Sequence, residues 1–318
     1  MRPSKSRTPS SSPMPTQADL LDGLVIAGHG RHYLIETADG THLRGTPRGK
    51  KSDLVVGDRV RIAITDSRGE DSVIEQVEPR RNLFYRQDAW RTKAFAANLD
   101  RLLILIAAEP VFSESQLCRA LIAAEQARIP VTLLLNKIDL TAAAAVARER
   151  LVPYRALGCE LIETALRDTD QPLPDLLQQR LSEGVTLVLG PSGTGKSTLI
   201  NRLIPEARAQ VGEISTALNS GRHTTTHTRW YWLDRSHGSA LLDSPGFQEF
   251  GLHHITQQDL AHWMPDLREA SRDCRFSNCT HDQEPGCAVR SAVDEGLISP
   301  SRHRIYLELR AELGFRPW

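Results

Sequence analysis

Hydrophobic positions change their period along the chain. Between residues 20 and 77 apolar side chains fall in short alternating runs at positions 23–28, 32–37, 58–64 and 72–77, with Asp39-Gly40 as a hairpin signal between two of them. Short strands without a helical repeat predict a small β-barrel, with an OB-fold as the natural candidate. From Leu99 onward strands and helices alternate, the mark of βαβ units on a parallel sheet. Strands are expected at 102–107, 131–135, 185–189, 229–233 and 239–243, and Ser113-Glu114-Ser115-Gln116 forms a capping box before a helix carrying Leu117, Leu121 and Ala124. After Phe250 the sheet pattern stops, and helical stretches near 257–263 and 302–313 flank a cysteine-rich segment.

Charge changes this picture little. Acidic and basic residues balance at 39 each in 318 residues, so no global field favours nucleic acid, and RNA contact requires local basic patches. Arg44, Arg48, Lys50 and Lys51 are placed in one loop with Gly45, Pro47 and Gly49, as a solvated loop or a phosphate contact. A connector at 81–98, preceded by Arg80, mixes Arg81, Arg86, Arg91 and Lys93 with Phe84, Tyr85, Trp90 and Phe95. That mixture suits RNA stacking, and it equally suits packing between domains with the arginines reaching outward. No apolar run is long enough to span a bilayer. The Ser/Pro-rich first 20 residues lack the apolar core of a secretory signal and read as a disordered tail or a transit peptide.

The chemistry lies in motifs that run in reversed order. Gly190-Pro191-Ser192-Gly193-Thr194-Gly195-Lys196-Ser197, followed by Thr198, is a complete phosphate-binding loop after a strand. Its glycines let N–H groups face phosphates, Lys196 reaches the β- and γ-phosphates, and the Ser197 hydroxyl is a magnesium ligand. Asn136-Lys137-Ile138-Asp139, which precedes that loop, selects guanine. The Asp139 carboxylate accepts from the ring N–H and exocyclic amine of guanine, and adenine would leave it unpaired. Asn136 ties this loop to the phosphate loop, the Lys137 stem covers the ring, and Thr164-Ala165 is a candidate second base-contacting loop.

Asp243-Ser244-Pro245-Gly246 and Thr224-Thr225-Thr226 match the switch elements: Asp243 and Thr225 serve magnesium, and the Gly246 N–H senses the γ-phosphate. Phe247 stands where a water-orienting glutamine is usual, and an apolar ring cannot position water. Hydrolysis is therefore expected to be slow alone, with His223 as the internal candidate for accepting from water or else a loop histidine. Cys274, Cys279, His281 and Cys287 supply a closed tetrahedral zinc set, hence a structural ion. Arg268, Arg272, Arg275 and Arg290 surround it, as an RNA contact or a solvated face.

The reversed motif order, Gly221-Arg222-His223-Thr224-Thr225-Thr226, the run from Asp243 to Phe250, Ala96-Ala97-Asn98-Leu99-Asp100 and the cysteine spacing together resemble the circularly permuted GTPases of bacterial ribosome biogenesis, the ribosome small-subunit-dependent GTPase A family. The resemblance covers all but the tail. It implies a multidomain chain: a small β-barrel (OB-fold) for RNA at 21–80, the connector at 81–98, an α/β P-loop GTPase domain, circularly permuted, at 99–252, and a small α-helical zinc-binding domain at 253–318. It further implies GTP/GDP, Mg2+ and one structural Zn2+ as cofactors, a cytoplasmic monomer, and the 30S ribosomal subunit with its 16S rRNA as partner, late in maturation. Two competing readings are a nucleotide-controlled RNA-binding switch with incidental turnover and a small-molecule P-loop kinase.

Overall fold

The structure is a computed structural model that describes residues 20–49, 53–207, 228–245 and 250–314. Five strands come first: β1 (Leu21–His29), β2 (His32–Thr37), β3 (His42–Pro47), β4 (Arg59–Ile64) and β5 (Asp71–Val77). They pair in the order β1-β2-β3-β5-β4, and β4 returns to β1, closing a five-stranded barrel of OB type. Val25, Ile35, Leu43, Val60, Ile62 and Ile74 fill its interior.

β3 corrects the loop expected around Arg44. Leu43 and Gly45 point inward while Arg44 is exposed, so the segment alternates as a strand does. Its glycine and proline hid that pattern. A Cβ at Gly45 would sit 2.2 Å from Ile35 Cδ1, so a larger residue there would have to displace the Ile35 side chain in the barrel interior. Arg44 and Arg48 pair with Asp71 and Glu75 at 2.7 and 2.5 Å, while Lys50 and Lys51 lie outside the described residues.

The 81–98 stretch is a β-hairpin, β6 (Leu83–Gln87) with β7 (Thr92–Ala97). Phe84 and Phe95 are buried and pack on Phe250, with centroids 5.7 and 6.0 Å away. Arg80 holds the fully buried Asp58 through two bonds of 2.7 and 2.8 Å, and Arg81 reaches Asp100 at 2.7 Å. These side chains support packing between units, the second of the two expectations for this stretch; Trp90 alone among its aromatics is strongly exposed.

Six further strands form the α/β sheet: β8 (Arg101–Ala107), β9 (Val131–Asn136), β10 (Glu160–Thr164), β11 (Val185–Leu189), β12 (Arg229–Asp234) and β13 (Ser239–Asp243). Their order is β10-β9-β8-β11-β13-β12, parallel except for β12. Central strands such as Leu102–Ile106 are apolar on both faces because helices cover both. The helices are α1 (Glu114–Ala127), α2 (Thr141–Ala156), α3 (Asp175–Ser182) and α4 (Lys196–Leu203). Ser113 caps α1 by accepting from the Gln116 N–H, and Arg128 closes it in a left-handed conformation (φ 54°).

Asn98 and Asp100 join these parts. Asn98 donates to Gly57 O of the barrel and accepts from the Arg81 N–H, and Asp100 accepts from Val185 N–H at the start of β11. Beyond Phe250 come a 3-10 turn (Leu260–Trp263), where a longer helical stretch was expected, then α5 (Pro265–Ser271), α6 (Ala288–Asp294) and α7 (Pro300–Gly314). The buried Arg302–Asp266 pair and the Arg268–Glu125 pair fasten this part together and to α1. Among the described residues no helix is long and apolar enough to cross a membrane.

Candidate functional site

The phosphate loop follows β11 and leads into α4, so the sheet's carboxyl edge carries it, as ligand crevices of open α/β sheets require. Gly195 adopts φ +111°, and a Cβ there would lie 2.3 Å from Asn136 Nδ2. Gly190 is equally confined, 2.3 Å from Leu105 O. The Lys196 ammonium donates to the Gly190 and Pro191 carbonyls at 2.7 and 2.8 Å. Burial holds its pKa below the ordinary lysine value, and the Asp243 carboxylate opposes that shift. Ser192, Gly193, Ser197 and Thr198 are exposed, and Thr194 is buried with its hydroxyl donating to Pro191 O.

Asn136 ends β9 and is 3% exposed. Its Nδ2 donates to Thr194 O of the phosphate loop at 2.7 Å, and its Oδ1 accepts from Leu166 N–H after β10 at 2.9 Å. One side chain thus joins three loops. The Ile138 N–H reaches Thr164 O at 3.4 Å, so the Thr164-Ala165 segment lies against the Asn136–Asp139 loop. Lys137 takes φ 65° and donates to Glu109 O at 2.6 Å, while Asp139 is exposed and open to a ligand.

Asp243 closes β13 beside Val188 of β11 and is 8% exposed. Ser244 is fully buried and donates to Val188 O at 2.7 Å, which pins the turn to the phosphate-loop strand. The hydroxyl of Ser197 and the carboxylate of Asp243 are hard oxygen donors of the kind magnesium takes. His223, Thr225, Gly246 and Phe247 lie outside the described residues.

A second cluster lies in the chain between α5 and α6. The ligand atoms of Cys274, Cys279, His281 and Cys287 fall within 4.8 Å of one another. His281 Nδ1 is 3.6 Å from both Cys274 Sγ and Cys287 Sγ, and those sulfurs are 4.0 Å apart. Tetrahedral zinc with ordinary bond lengths separates N from S by about 3.6 Å and S from S by about 3.8 Å. The donor set fits that ion. Burial lowers the His281 pKa, which favours the neutral imidazole a metal needs. His303 Nε2 of α7 donates to His281 O at 2.7 Å, and Tyr306 donates to Thr280 O, so α7 braces the knuckle.

Comparison with known proteins follows the same lines. A family model described as RsgA GTPase matches residues 77–253. The chain belongs to the RsgA GTPase family. The small ribosomal subunit biogenesis GTPase RsgA of Variovorax paradoxus (strain S110) is 55% identical over 96% of this chain and 97% of its own length. Its namesake from Burkholderia pseudomallei (strain K96243) is 50% identical over 95% and 96%. The crystal structure of YjeQ from Thermotoga maritima superposes with a TM-score of 0.70 at 26% identity, covering 93% of this chain and all of that one. YloQ, described as a circularly permuted GTPase, shares the fold at a TM-score of 0.68 and 23% identity.

The structure therefore gathers Asn136, Lys137 and Asp139 with the phosphate loop and Asp243 on one edge, and gathers the four metal-binding candidates between α5 and α6. Three participants went unnoticed in the sequence. The Leu166 N–H and Glu109 O are backbone groups and leave no residue-type signal. Glu284, which accepts from the Thr280 N–H and hydroxyl and lies 3.8 Å from Cys279 Sγ, stands between His281 and Cys287 and was open to notice. Of the basic residues near the metal cluster, Arg268 and Arg272 are ion-paired, Arg275 lies over the Phe276 ring, and Arg290 is exposed.

Proposed function

We propose that this chain hydrolyses GTP in the biogenesis of the small ribosomal subunit, with slow turnover alone and faster turnover on the subunit. The observation that carries the proposal is the Asn136 bridge, which sets a guanine-reading loop against a phosphate loop in a chain whose relatives are named for that role. Asp139 accepts from guanine, Lys137 covers the ring, and the Thr164-Ala165 backbone lies at the same end. Lys196 serves the β- and γ-phosphates while the α4 N-terminus faces them. Ser197, Asp243 and Thr225 would hold Mg2+, which when bound neutralises charge developing on the transferred phosphoryl group. Gly246 senses the γ-phosphate. With Phe247 unable to orient water, His223 accepts from it once the subunit fixes the geometry; such completion by a partner is worth roughly 10³ to 10⁵ in rate in related systems.

The Cys274, Cys279, His281 and Cys287 site is structural zinc in this reading, and a monomer acting on 16S rRNA in the cytoplasm is the expected working form. The test is GTP and ATP turnover by purified protein, alone, with small subunits and with large subunits. Stimulation of GTP turnover by small subunits only is expected. Unstimulated turnover with every addition, or equal use of ATP, contradicts the proposal.

A further inference from the structure

The barrel grips one element of the catalytic sheet. β12 and β13 form an antiparallel hairpin registered from Arg229↔Asp243 to Asp234↔Ser239. In sequence, β12 follows the segment of Thr225 and β13 ends at Asp243, so the hairpin joins the two switch motifs. Barrel strand β1 pairs with it at Ala27↔Arg229. At the far end, barrel residue Glu36 is 5% exposed and accepts from Trp232 Nε1 at 2.8 Å and from Arg235 Nη2 at 2.9 Å. His42 Nε2 lies 3.0 Å from the same carboxylate, and the Arg235 guanidinium stacks over the Trp232 ring at 5.3 Å.

Exposed ion pairs between units contribute little and slide easily. This carboxylate differs because it is buried, serves three donors, and takes two of them from one hairpin. Burial alone would raise the Glu36 carboxyl, but hydrogen bonds from Arg235, His42 and Trp232 outweigh it and keep the group below its ordinary value. At the other end of the hairpin, the Asp243 carboxylate acts on Lys196 of the phosphate loop. The barrel thus holds the hairpin both at Arg229, opposite Asp243, and near the turn through Glu36, along a length of about 17 Å at 3.3–3.4 Å per residue.

We propose that Glu36 is a positioning residue that couples the barrel to the nucleotide site through the β12–β13 hairpin, so that what the barrel contacts biases the placement of Asp243. The subunit-stimulation part of this rests on the function proposed above; the coupling itself does not.

The test uses the full chain with Glu36→Gln, which removes the charge, and Trp232→Phe, which removes the indole donor and keeps a smaller aromatic ring beside Arg235. Hydrogen exchange of β2 amides is compared in GDP and in a non-hydrolysable GTP analogue, beside turnover with and without small subunits. In the wild type, β2 exchange should differ between nucleotides, and both variants should lose that difference. Stimulation should fall about tenfold in the variants, within the range of ordinary coupling energies, with subunit-free turnover unchanged. Nucleotide-independent β2 exchange in the wild type, or full stimulation in both variants, overturns the proposal. A wild type that small subunits do not stimulate, but whose β2 exchange responds to nucleotide through Glu36, would sink the ribosomal reading and support the coupling.

Discussion

Asn136 and Thr194 stand 58 positions apart and are joined by a 2.7 Å hydrogen bond from side-chain amide to backbone carbonyl. The same amide accepts from the Leu166 N–H, so one buried residue closes the Asn136–Asp139 loop and the segment after β10 onto the phosphate loop. Asn136→Ala leaves a buried carbonyl and a buried N–H unpaired, at about 1–3 kcal/mol each. Guanine nucleotide affinity is expected to fall more than about tenfold, since the two losses together, about 2–6 kcal/mol, exceed the 1.4 kcal/mol per decade of affinity. Calorimetric titration with GDP, beside a thermal melt, checks this.

Gly195 and Gly193 offer a controlled comparison. Both have positive φ, but a Cβ at Gly193 meets nothing within 4 Å, whereas one at Gly195 collides with Asn136 Nδ2. Gly193→Ala carries backbone strain alone, on the order of 1 kcal/mol. Gly195→Ala also displaces the bridge and should lose nucleotide binding far more severely. Equal affinities of the two variants in a fluorescent-nucleotide titration would show that the bridge is dispensable.

The metal knuckle is expected to hold one zinc ion per chain, measurable by elemental analysis of purified protein. Stripping it with a chelator, or replacing Cys287 with Ser, should loosen α7, because His303 and Tyr306 bond to backbone carbonyls inside the knuckle. Helix signal and melting temperature should fall while GDP affinity changes little. Arg302→Ala should destabilise the same region by about 3–5 kcal/mol, the usual cost of orphaning one member of a buried ion pair such as Arg302–Asp266.

His254 gives a pH signature. It packs on Tyr85 at 4.5 Å, and burial, reinforced by His253, pushes its pKa from 6.5 to about 4. The folded state therefore binds fewer protons than the unfolded state between those values, and stability is lost as pH falls from 6.5 toward 4. His254→Phe should flatten that limb by up to one proton in denaturant melts at stepped pH. A limb of unchanged slope in the variant would remove His254 from the account.

Strand and motif positions were legible because each leaves a local pattern: the apolar run at Leu102–Ile106, the glycine spacing before Lys196, the Ser113 cap. β3 was not, because Gly45 and Pro47 read as loop until Ile35 is seen to occupy the space of a missing side chain. The hairpin arginines invited a nucleic-acid reading, and for Arg80 and Arg81 only distant partners, Asp58 and Asp100, reveal structural ion pairs. Within the site, side-chain roles could be read but the backbone groups of Leu166 and Glu109 could not. Nothing in residue type marks a carbonyl that happens to face a ligand loop.

Replacement of Asp139 by Asn tests most directly whether motifs in reversed order form one working site. An amide at this position cannot accept from both guanine donors, but it can donate to the second carbonyl that xanthine carries in place of the amine. With small subunits present, Asp139→Asn should lose GTP turnover by about 10² or more and gain XTP turnover, since a mismatched polar group in a specific pocket costs that much. Undiminished GTP turnover by the variant would contradict the account.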